Sequence, residues 1–153
     1  MSALTTVVIP TAARCAAWRC TSGAAARNGR AARFGTFKTT IRAAAARVVG
    51  FNLPNLGALP FLAGASLAQR QAAQRATAGM TTAVNALTGQ AVIVVDLMCN
   101  DRSYQTSNYS SDGFHPNDSG YAFIAAEVVL AATSAAYPPP RLNCPQMSVV
   151  PPP

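Results

Sequence analysis

Acidic side chains are missing from most of this chain: no Asp or Glu precedes Asp96, although ten Lys and Arg residues do. From Asp96 onward five acidic residues face two basic ones, and the 153 residues carry a net charge of +7. Such an asymmetry invites a reading as a basic arm for nucleic acid or an anionic surface. The arginines, however, stand singly among Ala, Gly and Thr and are not interleaved with aromatics as a base-stacking platform requires. The composition therefore predicts a solvated basic surface and no specific nucleic-acid partner. A long apolar run is also missing. Nothing approaches the roughly 20 residues that span a bilayer, so no membrane span is expected. The opening MSALTTVVIPTAARCAAWRC has no Lys- or Arg-led stretch followed by a long apolar segment, and does not read as a secretory signal. Histidine occurs once, and Cys15, Cys20, Cys99 and Cys144 lack metal-ligand spacing, which argues against a zinc site.

What is present fits one domain. Residues 1–46 form a basic, Ala/Arg-rich segment in which LTTVVIP (Leu4 to Pro10) and GTFKTTIR (Gly35 to Arg42) have the β-branched content of short strands. The stretch between them holds no sustained period. From Arg47 the pattern sharpens. RVVGFNLP reads as a buried strand running into a loop, and NLGALPFLAG as a loop anchored by Leu59, Phe61 and Leu62. A helix is expected between Ser66, a good N-cap, and Gly89, a good stop. Its buried stripe would be Ala73, Ala76, Met80, Val84 and Leu87. QAVIVVDL, with its unbroken Val/Ile run, predicts a strand covered on both faces, hence a βαβ unit and a parallel sheet. A polar loop leads to a last helix capped by Asn117 or Asp118, with Tyr121, Ile124, Ala125, Val128 and Ala132 buried. Residues 138–153, PPRLNCPQMSVVPPP with the proline before it, read as a polyproline-like tail. A Cys99–Cys144 disulfide would tie that tail down, and free thiols are the equal alternative.

Chemistry concentrates in Asp112-Gly113-Phe114-His115-Pro116-Asn117. The segment follows a parallel strand and opens a helix, where α/β folds place functional loops. A serine hydrolase needs an imidazole to accept the hydroxyl proton and a carboxylate to hold that imidazole in the right tautomer. Two intervening residues let Asp112 and His115 share one tight loop; Gly113 lets it bend and Pro116 stiffens its exit. The bland alternative is a surface turn with an idle histidine, Asp-Gly being a common turn dipeptide.

The wider context favours the chemical reading. DGFHPNDSGYAFIAAEVV closely resembles the last block of the SGNH (GDSL-type) serine esterases and lipases, D-x-x-H-P followed by a helix opening with Gly and an aromatic. VVGFNLPNLGALPFLAG with its Gln/Arg-rich helix resembles that family's fourth strand, loop and helix, and AVIVVDL its fifth strand. The resemblance covers about residues 47–137. It implies an α/β, three-layer α/β/α flavodoxin-like sandwich with a parallel sheet, here incomplete. It also implies hydrolysis of carboxylic esters with His115 as general base and Asp112 as its orienting partner, without a cofactor. A bacterial secreted or periplasmic location would follow from the same resemblance.

The family's G-D-S-x nucleophile block and G-x-N-D block are not recognisable upstream of Arg47. Ser22, in Thr21-Ser22-Gly23, is the nearest substitute, in a setting that recurs by chance in Ala/Gly/Ser/Thr-rich sequence. Asn52 and Asn55 lie in the loop after a strand and are read first as turn residues, not as substrate contacts. Two functions remain open. One is an esterase acting on short acyl or aryl esters. The other is an inactive truncated or frame-shifted remnant whose basic N-terminal half binds anionic partners weakly, since Ala, Arg and Gly are what GC-rich coding sequence yields out of frame. A sheet with exposed edges would also leave a homo-oligomer open.

Overall fold

The structure, a computed structural model, describes residues 6–9, 47–148 and 150. Three strands, β1 (Thr6–Ile9), β2 (Arg47–Phe51) and β3 (Ile93–Val95), form a parallel sheet in the order β1-β2-β3. Val7 registers with Val48 and Val49 with Ile93. Parallel pairing demands a crossover, supplied between β2 and β3 by helix α1 (Leu67–Asn85). Helix α2 (Asp118–Thr133) follows a long polar loop. The expected strand at Leu4 to Pro10 is thus realised in its centre, whereas Gly35 to Arg42, Ser22 and the remainder of 10–46 lie outside the described residues.

Alternation along the strands gives the sheet two apolar faces. Val49 and Val95 point to one side and pack with Leu97 against Phe123, Val128, Ala131 and Ala132 of α2. Val48 and Val94 point to the other and meet Val92, Val84 and Leu87 at the end of α1. The result is an α/β/α sandwich. Arg47 ties the layers together: its guanidinium donates to Ala132 O (2.8 Å) and Ser134 O (2.5 Å), placing a cation at the carbonyl end of α2.

Each helix buries only part of the stripe expected: Val84 in α1, and Val128 and Ala132 in α2. In α1 the buried residues are Gln71, Thr77, Thr81 and Val84; Ala76 and Met80 are exposed, Ala73 and Leu87 half-buried. Most of α1 covers the loop after β2 and not the sheet, and that loop presents backbone groups that need partners. Thr77 Oγ1 accepts from Leu56 N (3.3 Å) and Thr81 Oγ1 donates to Leu53 O (3.3 Å). A polar face is the one that fits. In α2 the buried residues are Gly120, Phe123, Val128, Ala131 and Ala132, while Tyr121 and Ala125 are exposed and Ile124 half-buried. This helix is apolar nearly all round, so spacing alone does not select its inner face.

The helix starts are as expected. Ser66 caps α1 in a reciprocal capping box with Gln69, and Asn117 caps α2 by accepting from Gly120 N (3.1 Å). The stop is not: α1 ends at Asn85 and passes into a 3-10 turn, Ala86–Gln90, so that Gly89 lies inside the turn and Ala91 takes the left-handed conformation (φ 57°). Thr88 Oγ1 holds the Asn85 carbonyl (2.8 Å) while the Asn85 side chain receives a bond from Asn52 (3.0 Å). Those contacts fix the exit from the helix before the glycine is reached.

Residues 138–148 and 150 form no free polyproline tail. Cys99 and Cys144 are disulfide-bonded, both buried, with Met98 and Met147 around them. A 3-10 turn, Pro145–Ser148, follows, and Val150 is fully buried. Asn55 Nδ2 donates to Gln146 O (2.9 Å) and Arg141 N to Asp96 Oδ2 (2.9 Å). A cross-link and backbone hydrogen bonds hold this segment, which composition alone does not reveal.

Candidate active site

The site is built on the loop between β3 and α2. An isolated antiparallel bridge pairs Tyr109 with Pro116, and Ser110 N donates to His115 O (2.8 Å), closing the loop into a narrow turn. Inside it Asp112 Oδ1 accepts from Phe114 N (2.9 Å) and His115 N (3.0 Å), and Asp112 Oδ2 meets His115 Nδ1 at 2.5 Å. The His115 hydrogen bond, then the two backbone N–H groups, hold the Asp112 carboxyl down at about 2, against 3.8 ordinarily. An ionised carboxylate on Nδ1 favours the tautomer with its proton there. Nε2 is then an acceptor when the ring is neutral, and it has no hydrogen-bond partner among the described residues. The two residues singled out in the sequence are brought together.

Gly113 makes the turn with φ +68°, and a Cβ there would stand 2.7 Å from Phe61 N. That N–H donates to Gly113 O (3.1 Å), joining the loop to the 3-10 turn Pro60–Leu62. Phe61 is therefore no core anchor. It is 58% exposed and packs on Phe114 (centroids 5.3 Å apart), whose ring stands edge-on to His115 (5.0 Å). Leu59 is buried as expected and Leu62 half-buried. Beneath the loop, Asn117 Nδ2 donates to Ser107 O and Tyr109 O (2.9 Å each), and Tyr109 donates to Ser103 O (2.5 Å). Burial pushes the Tyr109 hydroxyl up to about 12, which keeps it a donor across the neutral range.

Asn55 is the turn residue expected, its Oδ1 accepting from Gly57 N (3.0 Å), but Asn55 and Asn52 alike do more than shape a turn. Both are fully buried. Asn52 Nδ2 donates to Asp96 Oδ1 (2.9 Å) and Asn85, while its Oδ1 accepts from Met98 N (2.9 Å), linking the ends of β2, α1 and β3. Asn55 Nδ2 donates to Gln74 Oε1 (3.0 Å), and Asn55 N donates to Tyr104 Oη (2.8 Å). They fix the loops that carry the site. The Asn55 turn is legible in the sequence, but these longer links are not, because their partners stand 19 to 91 residues away.

A cavity of about 280 Å³ opens beside His115. Its walls include Phe51, Leu53 and Leu97 from the strand ends, Leu59 from the loop after β2, Phe123 and Ile124 from α2, and Phe114. Arg102 lies over the Phe123 ring, 4.5 Å from its centroid. Ser103 also lines the cavity, and its buried Oγ has no hydrogen-bond partner among the described residues. No described serine hydroxyl is hydrogen-bonded to the His115 ring, and no cluster of metal-ligating side chains occurs among the described residues. Nor is any described helix long and apolar enough to cross a membrane.

Searches among curated proteins and among solved structures return no match. A family model does match: that of the GDSL-like lipases/acylhydrolases, over residues 21–128, beginning upstream of Arg47 and including the whole Asp112–His115 loop. With more than half of the chain matched and an α/β/α sandwich around the loop, this chain belongs to the GDSL-like lipase/acylhydrolase family.

Proposed function

We propose that the chain is a carboxylic ester hydrolase acting on short acyl or aryl esters, with His115 as general base and Asp112 as its orienting carboxylate. Membership of the family makes it a hydrolase of the lipase/acylhydrolase kind. The observation that supports the finer reading is the 2.5 Å contact between Asp112 Oδ2 and His115 Nδ1, with Nε2 left without a hydrogen-bond partner among the described residues. In such a reaction Nε2 takes the proton of a serine hydroxyl as its oxygen attacks the ester carbonyl. The imidazolium then returns the proton to the departing alcohol, and water repeats the sequence on the acyl-enzyme to release the acid. Asp112 stays ionised throughout and stabilises the imidazolium.

Hydrolysis of p-nitrophenyl acetate and butyrate tests the proposal. His115→Ala should remove nearly all of the rate. Asp112→Asn should cost up to about 10⁴-fold by releasing the imidazole from its tautomer. An organophosphonate, followed by mapping of the modified peptide, identifies the serine, Ser22 being the sequence candidate. Full activity in His115→Ala would overturn the proposal.

A further inference from the structure

We propose that Arg102 is a specificity-determining residue, and that its guanidinium receives a carboxylate carried by the substrate ester. The inference rests on the ester-hydrolase reading above. The cavity beside His115 is walled mainly by apolar side chains, and Arg102 is the one arginine or lysine among them. In a pocket of that kind the few polar groups fix the orientation and the choice of ligand. The Arg102 guanidinium has no hydrogen bond and no carboxylate partner among the described residues, whose ion pairs are His115–Asp112 and Arg141–Asp96. It is a cation at the reaction site that the fold does not neutralise.

The backbone of Arg102 shapes the loop, and its side chain is left for another task. Arg102 N donates to Asn100 Oδ1 (3.1 Å) and Arg102 O accepts from Asn108 Nδ2 (2.8 Å). The guanidinium is held over Phe123, a buried ring packed in the core, so its platform is fixed. Over an aromatic face a guanidinium keeps N–H donors for an anion, in the fork that matches the two oxygens of a carboxylate. Ser103, next in the chain, lines the same cavity, and its buried Oγ is a second donor without an acceptor among the described residues. Asp112 does not take the role of counter-ion, because His115 and two backbone N–H groups already hold its oxygens. A lone guanidinium matches one negative charge, which favours a carboxylate over a doubly charged phosphate.

Paired esters that differ in charge, compared at fixed ionic strength, test the assignment. 4-Acetoxybenzoate against 4-acetoxybenzamide places the carboxylate on the alcohol half, and monomethyl glutarate against methyl pentanoate places it on the acyl half. In at least one pair Arg102→Gln should lower the anionic-to-neutral ratio of kcat/KM about tenfold or more. Arg102→Lys, which keeps the charge but not the fork, should restore part of it. Each ratio is taken on one preparation, so any loss of folded protein cancels. Arg141→Gln, an exposed arginine outside the cavity walls, should keep the parent ratio. Ratios unchanged in Arg102→Gln for both pairs, or an equal fall in Arg141→Gln, would overturn the proposal and leave the ester reading intact. Titration with benzoate and benzamide, followed by NMR, reads the site without turnover. Benzoate should shift the Phe123 ring signals, and Arg102→Gln should weaken its binding, relative to benzamide, about tenfold. That result without cleavage of any ester supports the carboxylate site and sinks only the catalytic reading. Benzoate binding the parent and Arg102→Gln equally would overturn the site.

Discussion

Gln74 grips Val150 with both ends of its amide: Nε2 donates to Val150 O and Oε1 accepts from Val150 N, each at 3.1 Å. One side chain on α1 thus serves as the backbone partner of a residue 76 positions away, and its Oε1 also receives Asn55. Gln74→Ala should leave a buried N–H and C=O unsatisfied and lower stability by about 1–3 kcal/mol. Urea denaturation measures the loss. Limited proteolysis should cut the C-terminal segment of the variant before that of the parent, and equal resistance would refute the assignment.

The disulfide should contribute more. Cys99 and Cys144 are 45 residues apart, and closing such a loop is worth about 4 kcal/mol in the chain-entropy model. Cys144→Ser should reduce Tm accordingly. In the native, unreduced protein neither thiol should take up an alkylating agent; quantitative labelling of both would show that the bond does not form in solution.

Acid titration of Asp112 offers a direct check on the site. Its folded carboxyl is held at about 2, chiefly by His115. The sign follows: whatever the ionised carboxylate contributes is fully present above its ordinary 3.8 and disappears as pH falls through about 2. Carboxyl carbon shifts should therefore place the Asp112 midpoint near 2, well below its ordinary 3.8. His115→Ala should move it back up. An unmoved midpoint in that variant would mean the two backbone N–H groups alone hold it down.

Gly120 provides a packing test at the foot of the site. A Cβ there would lie 2.2 Å from Asn108 O and 2.8 Å from the Pro116 ring. Gly120→Ala should push α2 away from the loop, destabilise the protein by about 1–3 kcal/mol and reduce turnover with it. Gly79, with nothing within 4 Å, is the control: Gly79→Ala should stabilise α1 by up to about 1 kcal/mol. Equal thermal midpoints for the two variants would contradict the packing described.

How much of this was legible in the sequence depends on the range over which each feature is determined. The Val/Ile strands, the Ser66 and Asn117 caps and the Asp112–His115 pair are set by residues a few positions apart, and each stands where the sequence places it. The inner faces of both helices are legible only in part, through Val84, Val128 and Ala132. Spacing presumes an apolar seam, but α1 covers a loop whose backbone selects Thr77 and Thr81, and α2 offers apolar side chains in almost every direction. Phe61 reads as an apolar anchor of its loop, yet it is largely exposed and its ring neighbour is Phe114. Asn52 and Asn55 read as turn residues, which Asn55 is, while their further partners on α1, β3 and the C-terminal segment adjoin them only in space.

The Asp112–His115 turn is closed almost entirely by its own atoms: the Ser110 N to His115 O bond, the two N–H groups on Asp112 Oδ1 and the Tyr109–Pro116 bridge all fall within eight consecutive residues. An imidazole and a carboxylate arranged in this way, the proposed base and its partner, form a self-templating cassette. Their mutual alignment is a property of the octapeptide, while their aim at a third group belongs to the sandwich through Phe61 and Asn117. Thermal or chemical damage to the fold should accordingly disconnect the pair from its target while leaving acid and base still facing each other, and inactivation would then begin as a loss of aim.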